Sequence, residues 1–129
     1  MADQTRKQLA EAGLKVRREV LGDEYVDRAL ANTTEFTRAL QDLVTEYCWG
    51  AVWGREGLTR KERSLINLGM LTALGRQHEV AIHVRGALNN GVTEQQISEA
   101  LLQAAIYCGV PAAIDSFRTA AQTIAEYDK

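Results

Sequence analysis

The stretch that most constrains the fold is Arg76-Gln-His-Glu-Val-Ala-Ile-His83-Val-Arg-Gly-Ala-Leu-Asn-Asn-Gly91. Placed at about 100° per residue, its apolar side chains gather on one face, which predicts a single amphipathic helix. Gly91 predicts the end of that helix, because glycine readily adopts the left-handed conformation that follows a last helical turn. The residues expected to face the core are Val80, Val84, Ala87 and Leu88.

Glu79 and His83 lie at the margin of that apolar face. They are four residues apart, so they share one side of the helix and their side chains can touch. A carboxylate beside an imidazole is a proton-transfer pair, in which the carboxylate holds one ring nitrogen while the other faces a substrate. The alternative is a half-buried structural pair without catalysis, and the residues alone leave both open. His78, on the polar side, is predicted to be a solvated surface residue.

The chain before residue 59 is predicted to be mostly helical. Apolar residues recur at helical spacing from about Thr5 to Leu21, and a short second segment begins at Asp23. Asn32, with Glu35 three residues later, predicts a capped helix that reaches residues 47–49. We therefore expect two or three helices in this half.

The second half carries clearer helix boundaries. Thr59-Arg-Lys-Glu62 and Thr93-Glu-Gln-Gln96 have the spacing of capping boxes, and each precedes an apolar periodic run. Gly75 predicts the end of the first of these helices, and Pro111 predicts the start of the last helix through its fixed φ angle. No segment shows sustained strand alternation, so the sequence predicts an all-α protein of six or seven helices.

Composition and charge exclude several classes of protein. The chain has 129 residues, of which 46% are hydrophobic and 25% are charged, which fits one domain spanning residues 1–129. The net charge of −2 gives no indication of a nucleic-acid partner. No apolar run has membrane-spanning length, and the first residues lack the apolar segment of a secretory signal. We therefore expect a cytoplasmic protein with no membrane partner.

The two cysteines, Cys48 and Cys108, fit neither a metal-binding nor a redox spacing. Because both lie among apolar residues, we predict that they are buried thiols in a reducing compartment. The sequence gives no expectation of a metal site.

A second cluster of candidate residues is Trp49-Gly-Ala-Val-Trp-Gly-Arg-Glu-Gly57, which its three glycines predict to be a loop. Trp49 and Trp53 either line an apolar pocket, with Arg55 offering a cation to an anionic ligand, or anchor the loop to the core. Arg63 belongs to a group of cations at the start of the next helix. Because positive charge there opposes the helix dipole, Arg63 is a further candidate for ligand binding.

Five motifs between residues 49 and 113 follow one another in a fixed order. They are Trp49-Gly-Ala-Val-Trp-Gly-Arg-Glu-Gly-Leu58, Arg63-Ser-Leu-Ile66, Met70-Leu-Thr-Ala-Leu-Gly-Arg76, Glu79-Val-Ala-Ile-His-Val-Arg-Gly-Ala-Leu-Asn-Asn-Gly-Val-Thr93 and Tyr107-Cys-Gly-Val-Pro-Ala-Ala113. Together they resemble the carboxymuconolactone decarboxylase family over roughly residues 5–127. The resemblance implies an alkyl hydroperoxidase D-like helical bundle. One departure is Glu56, where the family motif leads us to expect proline.

The alkyl hydroperoxidase D proteins, which share this fold, carry a glutamate, a Cys-x-x-Cys pair and a histidine. Aligned on His83, the two cysteine positions fall at Arg76 and Glu79, and the glutamate position falls at Ser64. Thiol peroxidase chemistry needs a thiolate and a resolving thiol, and neither stands at these positions. The sequence therefore disfavours a peroxidase.

The resemblance implies decarboxylation of 4-carboxymuconolactone to 3-oxoadipate enol-lactone and CO2, in the protocatechuate branch of the β-ketoadipate pathway. The departing carboxylate sits on the carbon γ to the lactone carbonyl, so its electrons flow through the ring alkene onto the carbonyl oxygen. No metal, pyridoxal phosphate or thiamine is needed as an electron sink, and we expect no cofactor. The protein must bind the anion, stabilise the dienolate and return a proton to carbon.

Each of these tasks has candidate residues. His83 is the expected general acid, which protonates the dienolate or donates to its oxygen, and Glu79 is expected to orient His83. Arg55, with Arg63 or Arg85 as weaker candidates, is expected to bind a substrate carboxylate. Trp49 and Trp53 are expected to supply an apolar wall, because a dry site disfavours the carboxylate ground state.

The resemblance also implies a homo-oligomer, a trimer or a hexamer, and Ile82 on the polar side of its helix suits a subunit contact. Two other functions remain open. One is a decarboxylase or isomerase acting on a related lactone with the same His83 and Glu79. The other is a non-catalytic helical assembly module in which the two residues are only a structural pair.

Overall fold

A computed structural model describes residues 5–127, and within this range the chain is entirely helical, with turns between the helices and no strand. The helices are α1 (Arg6–Leu21), α2 (Asp23–Ala31), α3 (Arg38–Leu43), a π-helix (Val44–Val52), α4 (Arg60–Leu74), α5 (Gln77–Asn89), α6 (Glu94–Cys108) and α7 (Val110–Glu126). The prediction of an all-α protein is confirmed. The chain divides into two compact units, an N-terminal unit up to Leu58 and a C-terminal unit from Thr59. That these form one domain stays a prediction.

The two predicted capping boxes are present. The Thr59 hydroxyl accepts a hydrogen bond from the backbone amide of Glu62, and the Glu62 carboxylate accepts one from the amide of Thr59. Thr93 and Gln96 make the same reciprocal pair at the start of α6. These bonds satisfy amides that have no partner inside a first helical turn, so local sequence fixes where both helices begin.

The predicted cap at Asn32 is wrong. Asn32 ends α2 instead of beginning a helix, and the next helix starts only at Arg38. The intervening residues form a turn in which the hydroxyls of Thr34 and Thr37 accept hydrogen bonds from each other's backbone amides. Threonine side chains compete for backbone partners in this way, and the helix begins only after this turn.

The predicted loop from Trp49 to Gly57 is wrong in its first part. Residues up to Val52 continue as a π-helix, shown by the hydrogen bond from the Trp53 amide to the Cys48 carbonyl, five residues back. Gly50 serves close packing there: a Cβ on it would lie 2.5 Å from the Leu9 carbonyl oxygen of α1. A Cβ on Gly13 would likewise collide with the Thr45 carbonyl, so the two glycines let α1 and the π-helix pack backbone to backbone.

The C-terminal unit has a core built by α4 to α7. The predicted core face of α5 is confirmed, because Val80, Val84 and Ala87 are fully buried and Leu88 packs against them. Helices α4, α6 and α7 contribute further buried residues to the same cluster, namely Leu68, Ile97, Leu101 and Ala120. Gly75 has a left-handed φ of 72° after α4, and Pro111 lies in the first turn of α7, as predicted.

A closed set of hydroxyl and amide groups also lies in this unit, and we call Thr72, Gln77, Ser116 and Thr119 the hydroxyl–amide network. The Thr72 and Ser116 hydroxyl oxygens are 2.7 Å apart, and both residues are fully buried. The Gln77 amide donates to Ser116 at 3.0 Å and accepts from the Thr119 hydroxyl. The network joins α4, α5 and α7 and satisfies polar groups that burial removes from water.

Two predictions about the surface can be compared with the structure. Cys48 and Cys108 are both exposed, so the prediction that they are buried is wrong. Each cysteine has an exposed tyrosine directly before it in the sequence: Tyr107 is 80% and Tyr47 is 55% accessible. Between residues 5 and 127, no helix combines the length and the apolar character needed to cross a membrane.

Candidate functional site

Helix α5 places His83 at the edge of the core of the C-terminal unit. Val80 and Val84, on either side of it, are fully buried, while His83 itself is half-buried. The hydrophobic pattern of α5 therefore determines the position of the ring, as the helical wheel predicted. His78 is exposed, which confirms its prediction as a surface residue.

The Nδ1 atom of His83 contacts the side chain of Asn67 on α4. The Asn67 amide nitrogen, Nδ2, lies 3.4 Å from Nδ1. An amide NH2 donates hydrogen bonds and does not accept them, so in this arrangement Nδ1 is the acceptor. Asn67 was not singled out from the sequence, because a lone asparagine in a helix carries no signal of its partner.

Glu79 lies one turn before His83 on α5 and is half-buried. In the described part of the chain, Asn67 contacts Nδ1, and Glu79 influences the imidazole through its negative charge. Burial lowers the pKa of His83, and the negative charge of Glu79 opposes this shift without reversing it. Glu79 thus acts on His83 through its charge, and a direct catalytic role for Glu79 stays a prediction.

Arg63 lies on the side of α4 that faces α5. This alignment follows from two contacts, Asn67 with His83 and the Asn90 amide with the Ser64 hydroxyl at 2.9 Å. Arg63 precedes Asn67 by four residues, so the two side chains share one face of α4. The structure therefore places Arg63 on the same side of the helix as the contact to His83.

Arg85, the other weak candidate on α5, is engaged elsewhere. Its guanidinium carbon lies 5.8 Å from the centre of the Tyr127 ring, within the range of a cation–π interaction. The Tyr127 hydroxyl donates to the Asn89 side chain at 2.7 Å. This arrangement accounts for Arg85 as a contact between α5 and the end of α7.

Trp49, Trp53 and Arg55 belong to the N-terminal unit. Both indole groups are buried, with ring centres 4.8 Å apart and planes inclined by 28°. Such burial supports the interpretation of the two tryptophans as anchors. Arg55 is exposed, after the π-helix. The assignment of these three residues to substrate binding stays a prediction.

Arg17 of α1 is a buried cation that the sequence analysis missed. It is 5% exposed, and its guanidinium donates to the neutral Gln41 side chain at 3.0 Å and to the Thr45 hydroxyl at 3.5 Å. Burial lowers its pKa. The signal available from sequence was its place in an apolar helical face beside Val16 and Val20, which is where a charged residue is least expected.

The described part of the C-terminal unit also has an open groove of about 1070 Å³ between α4 and α6. Its lining is mostly apolar and includes Leu65, Met70, Ala104 and Tyr107, but neither His83 nor Asn67. Among the described residues, no group of three or more His, Cys, Asp or Glu side chains is arranged to hold a metal ion.

Comparison with known proteins shows the family to which this chain belongs. The model of the carboxymuconolactone decarboxylase family matches residues 38–122, which include Asn67, Glu79 and His83. The chain belongs to the carboxymuconolactone decarboxylase family. The resemblance found in the motifs is therefore confirmed.

Two relatives are similar to this chain over most of its length. A nitrosuccinic acid decarboxylase of Metarhizium robertsii is 50% identical over 122 residues, covering 95% of this chain and 85% of the relative. A 4-carboxymuconolactone decarboxylase of Acinetobacter baylyi is 44% identical over 100 residues, covering 78% of this chain and 75% of the relative. The family and these relatives identify the chain as a decarboxylase, which favours the enzyme over the assembly module.

Proposed function

We propose that this decarboxylase converts 4-carboxymuconolactone to 3-oxoadipate enol-lactone and CO2, as a step of protocatechuate breakdown through the β-ketoadipate pathway. The main support is the similarity to the Acinetobacter baylyi enzyme of that name over most of the chain. The observation that carries the chemistry is the half-buried His83, held at Nδ1 by Asn67 in the part of the chain that matches the family.

The reaction needs little from the protein beyond placement and charge stabilisation. When the bond to the γ-carboxylate breaks, its electron pair moves through the ring alkene onto the carbonyl oxygen of the lactone, and CO2 leaves. A hydrogen-bond donor directed at that oxygen stabilises the dienolate more than the substrate, which is the condition for lowering the barrier. We assign that donation, or protonation of the carbon α to the carbonyl, to His83, with Glu79 acting through its charge.

The substrate is an anion, so a cation must hold it. Arg63 is favoured by its place on the face of α4 that carries Asn67. Arg55 is the candidate from the N-terminal unit, and Trp49 and Trp53 are the candidates for apolar contacts. Guanidinium binds carboxylate through two parallel hydrogen bonds, so replacing the responsible arginine should raise KM.

The test is a spectrophotometric assay of purified protein with 4-carboxymuconolactone generated in situ, following substrate loss and CO2 release with and without chelator. Rapid turnover in both conditions is the expected result. A folded protein that leaves this substrate unchanged contradicts the proposal.

A second candidate substrate is nitrosuccinate, favoured by the 50% identity to the Metarhizium robertsii enzyme over 95% of the chain. Both substrates carry the departing carboxylate on a carbon that also bears a CH2–carboxylate group. In nitrosuccinate the electron pair moves onto the nitro oxygens, giving a nitronate that is protonated at carbon. The same donor and cation therefore suit both reactions.

The two substrates are separated by measuring kcat/KM for each on one protein preparation. A higher kcat/KM for 4-carboxymuconolactone supports the first proposal, and a higher value for nitrosuccinate replaces it with the second. Related lactones assayed in the same way test the remaining alternative.

We also propose that the chain forms a homo-oligomer, a trimer or a hexamer. Ile106 and Tyr107 of α6 are 79% and 80% exposed beside the groove between α4 and α6, and apolar surfaces of this kind usually mark protein contacts. Ile82 is half-buried, and its subunit contact stays a prediction. Sedimentation should show an oligomer that Tyr107→Lys weakens and the control Gln122→Glu, on exposed α7 surface, does not.

A further inference from the structure

We propose that Asn67 is a positioning residue that keeps the proton of the neutral His83 ring on Nε2, so that the ring meets the substrate as an Nε2–H hydrogen-bond donor. This inference deepens the proposed function and rests on it for its catalytic meaning. The tautomer itself is a property of the protein without substrate.

The first support is the direction of the contact. The Asn67 amide nitrogen faces Nδ1 at 3.4 Å. Because that nitrogen carries only donors, a proton on Nδ1 would place two donors against each other. The contact therefore favours a lone pair on Nδ1, and in a neutral imidazole the proton is then on Nε2.

The second support is the rigid alignment of α4 and α5. Leu68, next to Asn67, is fully buried, and so is Val84, next to His83. One helical turn away, the fully buried Ser64 accepts a hydrogen bond from the Asn90 side chain at 2.9 Å. Both backbones are thus held on either side of the Asn67–His83 contact, which keeps the Asn67 side chain beside the ring.

The electrostatic surroundings agree with a neutral ring. Burial lowers the pKa of His83, and among charged residues Glu79 on α5 opposes that shift. Arg63 lies on the α5-facing side of α4, one turn from Asn67. Near neutral pH, the ring thus carries one proton, and the contact with Asn67 favours its place on Nε2.

The tautomer decides between the two roles proposed for His83, which are hydrogen-bond donation to the dienolate oxygen and protonation of carbon. A neutral imidazole gives up its last proton only with great difficulty, so Nε2–H serves as a hydrogen-bond donor to the dienolate oxygen. The proton that ends on carbon then comes from water, which leaves hydroxide and balances the loss of CO2 from the carboxylate. The neutral donor also predicts that kcat is retained above the pKa of His83, whereas an imidazolium acid would lose activity there.

The experiment reads the tautomer directly. Protein labelled with 15N-histidine is studied by long-range 1H–15N correlation above the pKa of His83, with His83→Gln used to assign the signals. The expected spectrum shows an unprotonated, pyridine-like Nδ1 and a protonated, pyrrole-like Nε2. A protonated Nδ1 in the neutral wild-type ring overturns the proposal.

Asn67→Asp is the informative variant, because it keeps the shape of the side chain but replaces the donor with an acceptor. The carboxylate should draw the proton to Nδ1 and raise the pKa of His83. We expect kcat to fall at least about tenfold, since wrong-tautomer variants of other histidine enzymes lose up to ~10⁴-fold. Asn89→Asp is the matched control: it adds the same charge at an exposed position of α5 and should leave the tautomer unchanged.

An unchanged tautomer in folded Asn67→Asp overturns the positioning role. If Asn67→Asp does not fold, Asn67→Leu takes its place, and a ring that still holds its proton only on Nε2 overturns the proposal in the same way. The failure of the proposed function looks different. In that case the wild-type spectrum shows the Nε2–H tautomer, which supports the positioning role, while neither 4-carboxymuconolactone nor nitrosuccinate is consumed.

Discussion

The C-terminal unit contains two polar clusters that differ in one respect. The hydroxyl–amide network of Thr72, Gln77, Ser116 and Thr119 consists of groups that do not titrate, and its members satisfy one another. The contact between Asn67 and His83 contains a titratable ring that is only half-buried, with a pKa lowered by burial. Both clusters include residues of α4 and α5, but only the second contains a group that can change its protonation state.

This difference indicates that one cluster serves stability and the other serves catalysis. A closed network of buried neutral groups contributes to the stability and the alignment of helices, and its loss is felt on folding. A titratable group at the edge of the core, contacted at one nitrogen, is held in a defined orientation and keeps its ability to change protonation state. We therefore expect variants of the two clusters to affect different measurements.

The largest expected effect belongs to His83. His83→Ala should lower kcat by about 100- to 10,000-fold, because the donor to the developing negative charge is lost. Circular dichroism and thermal unfolding check that the variant remains folded. The matched control is His78→Ala, which removes an exposed histidine from the same helix and should retain wild-type kcat. Near-normal kcat in His83→Ala would remove His83 from the mechanism.

A substitution in the hydroxyl–amide network should lower stability and leave kcat nearly unchanged. Ser116→Ala leaves the buried Thr72 hydroxyl and the half-buried Gln77 amide without their shared partner, so we expect a loss of about 1–3 kcal/mol in the free energy of unfolding. Urea unfolding measures this loss, and kcat at saturating substrate should stay within about twofold of wild type. A stable Ser116→Ala with greatly reduced kcat would show that the two clusters are not separate.

The arginines test which unit binds the substrate anion. Arg63→Gln or Arg55→Gln should raise KM by about tenfold or more, since a charge-assisted bidentate hydrogen bond contributes on the order of 1.5–3 kcal/mol. Arg85→Gln is the control, because Arg85 is accounted for by its contact with Tyr127. If both variants keep the wild-type KM, carboxylate binding must be assigned elsewhere, with the buried Arg17 as the next candidate.

The parts of the fold that local sequence controls were predictable. The two capping boxes, Gly75 and Pro111 act through neighbours in the chain, and the core face of α5 follows from one helical period. The helix cap predicted at Asn32 is wrong because hydrogen bonds of threonine hydroxyls form the turn that follows it. Gly50 led to the wrong prediction of a loop. Glycine is needed there because the carbonyl of Leu9, about forty residues earlier, leaves no room for a Cβ, and a local sequence pattern cannot show that contact.

The candidate site divides along the same line. The position of His83 at the edge of the core could be predicted from the wheel of α5 alone. The partner of His83 could not, because Asn67 is brought to it by packing between helices, while Glu79 was suggested by spacing within one helix. A pattern on one helix shows which residues share a face, but not which of them a neighbouring helix contacts.

The pH dependence of stability gives the smallest effect and the finest distinction between the clusters. Because burial lowers the pKa of folded His83, the unfolded chain, with a histidine pKa near 6.5, binds a proton that the folded chain does not. The free energy of unfolding should therefore fall as the pH drops below about 6.5 and should level off below the folded pKa; above about 6.5, His83 adds no slope. Urea unfolding between about pH 7.5 and pH 5 measures this in a range where carboxylates contribute little. His83→Gln should flatten the curve, while Ser116→Ala should lower it without changing its slope, because the hydroxyl–amide network has no proton to gain. Equal slopes for wild type and His83→Gln would mean that His83 binds its proton equally well in the folded and unfolded chain, and would remove the basis for treating the Asn67–His83 contact as a neutral pair.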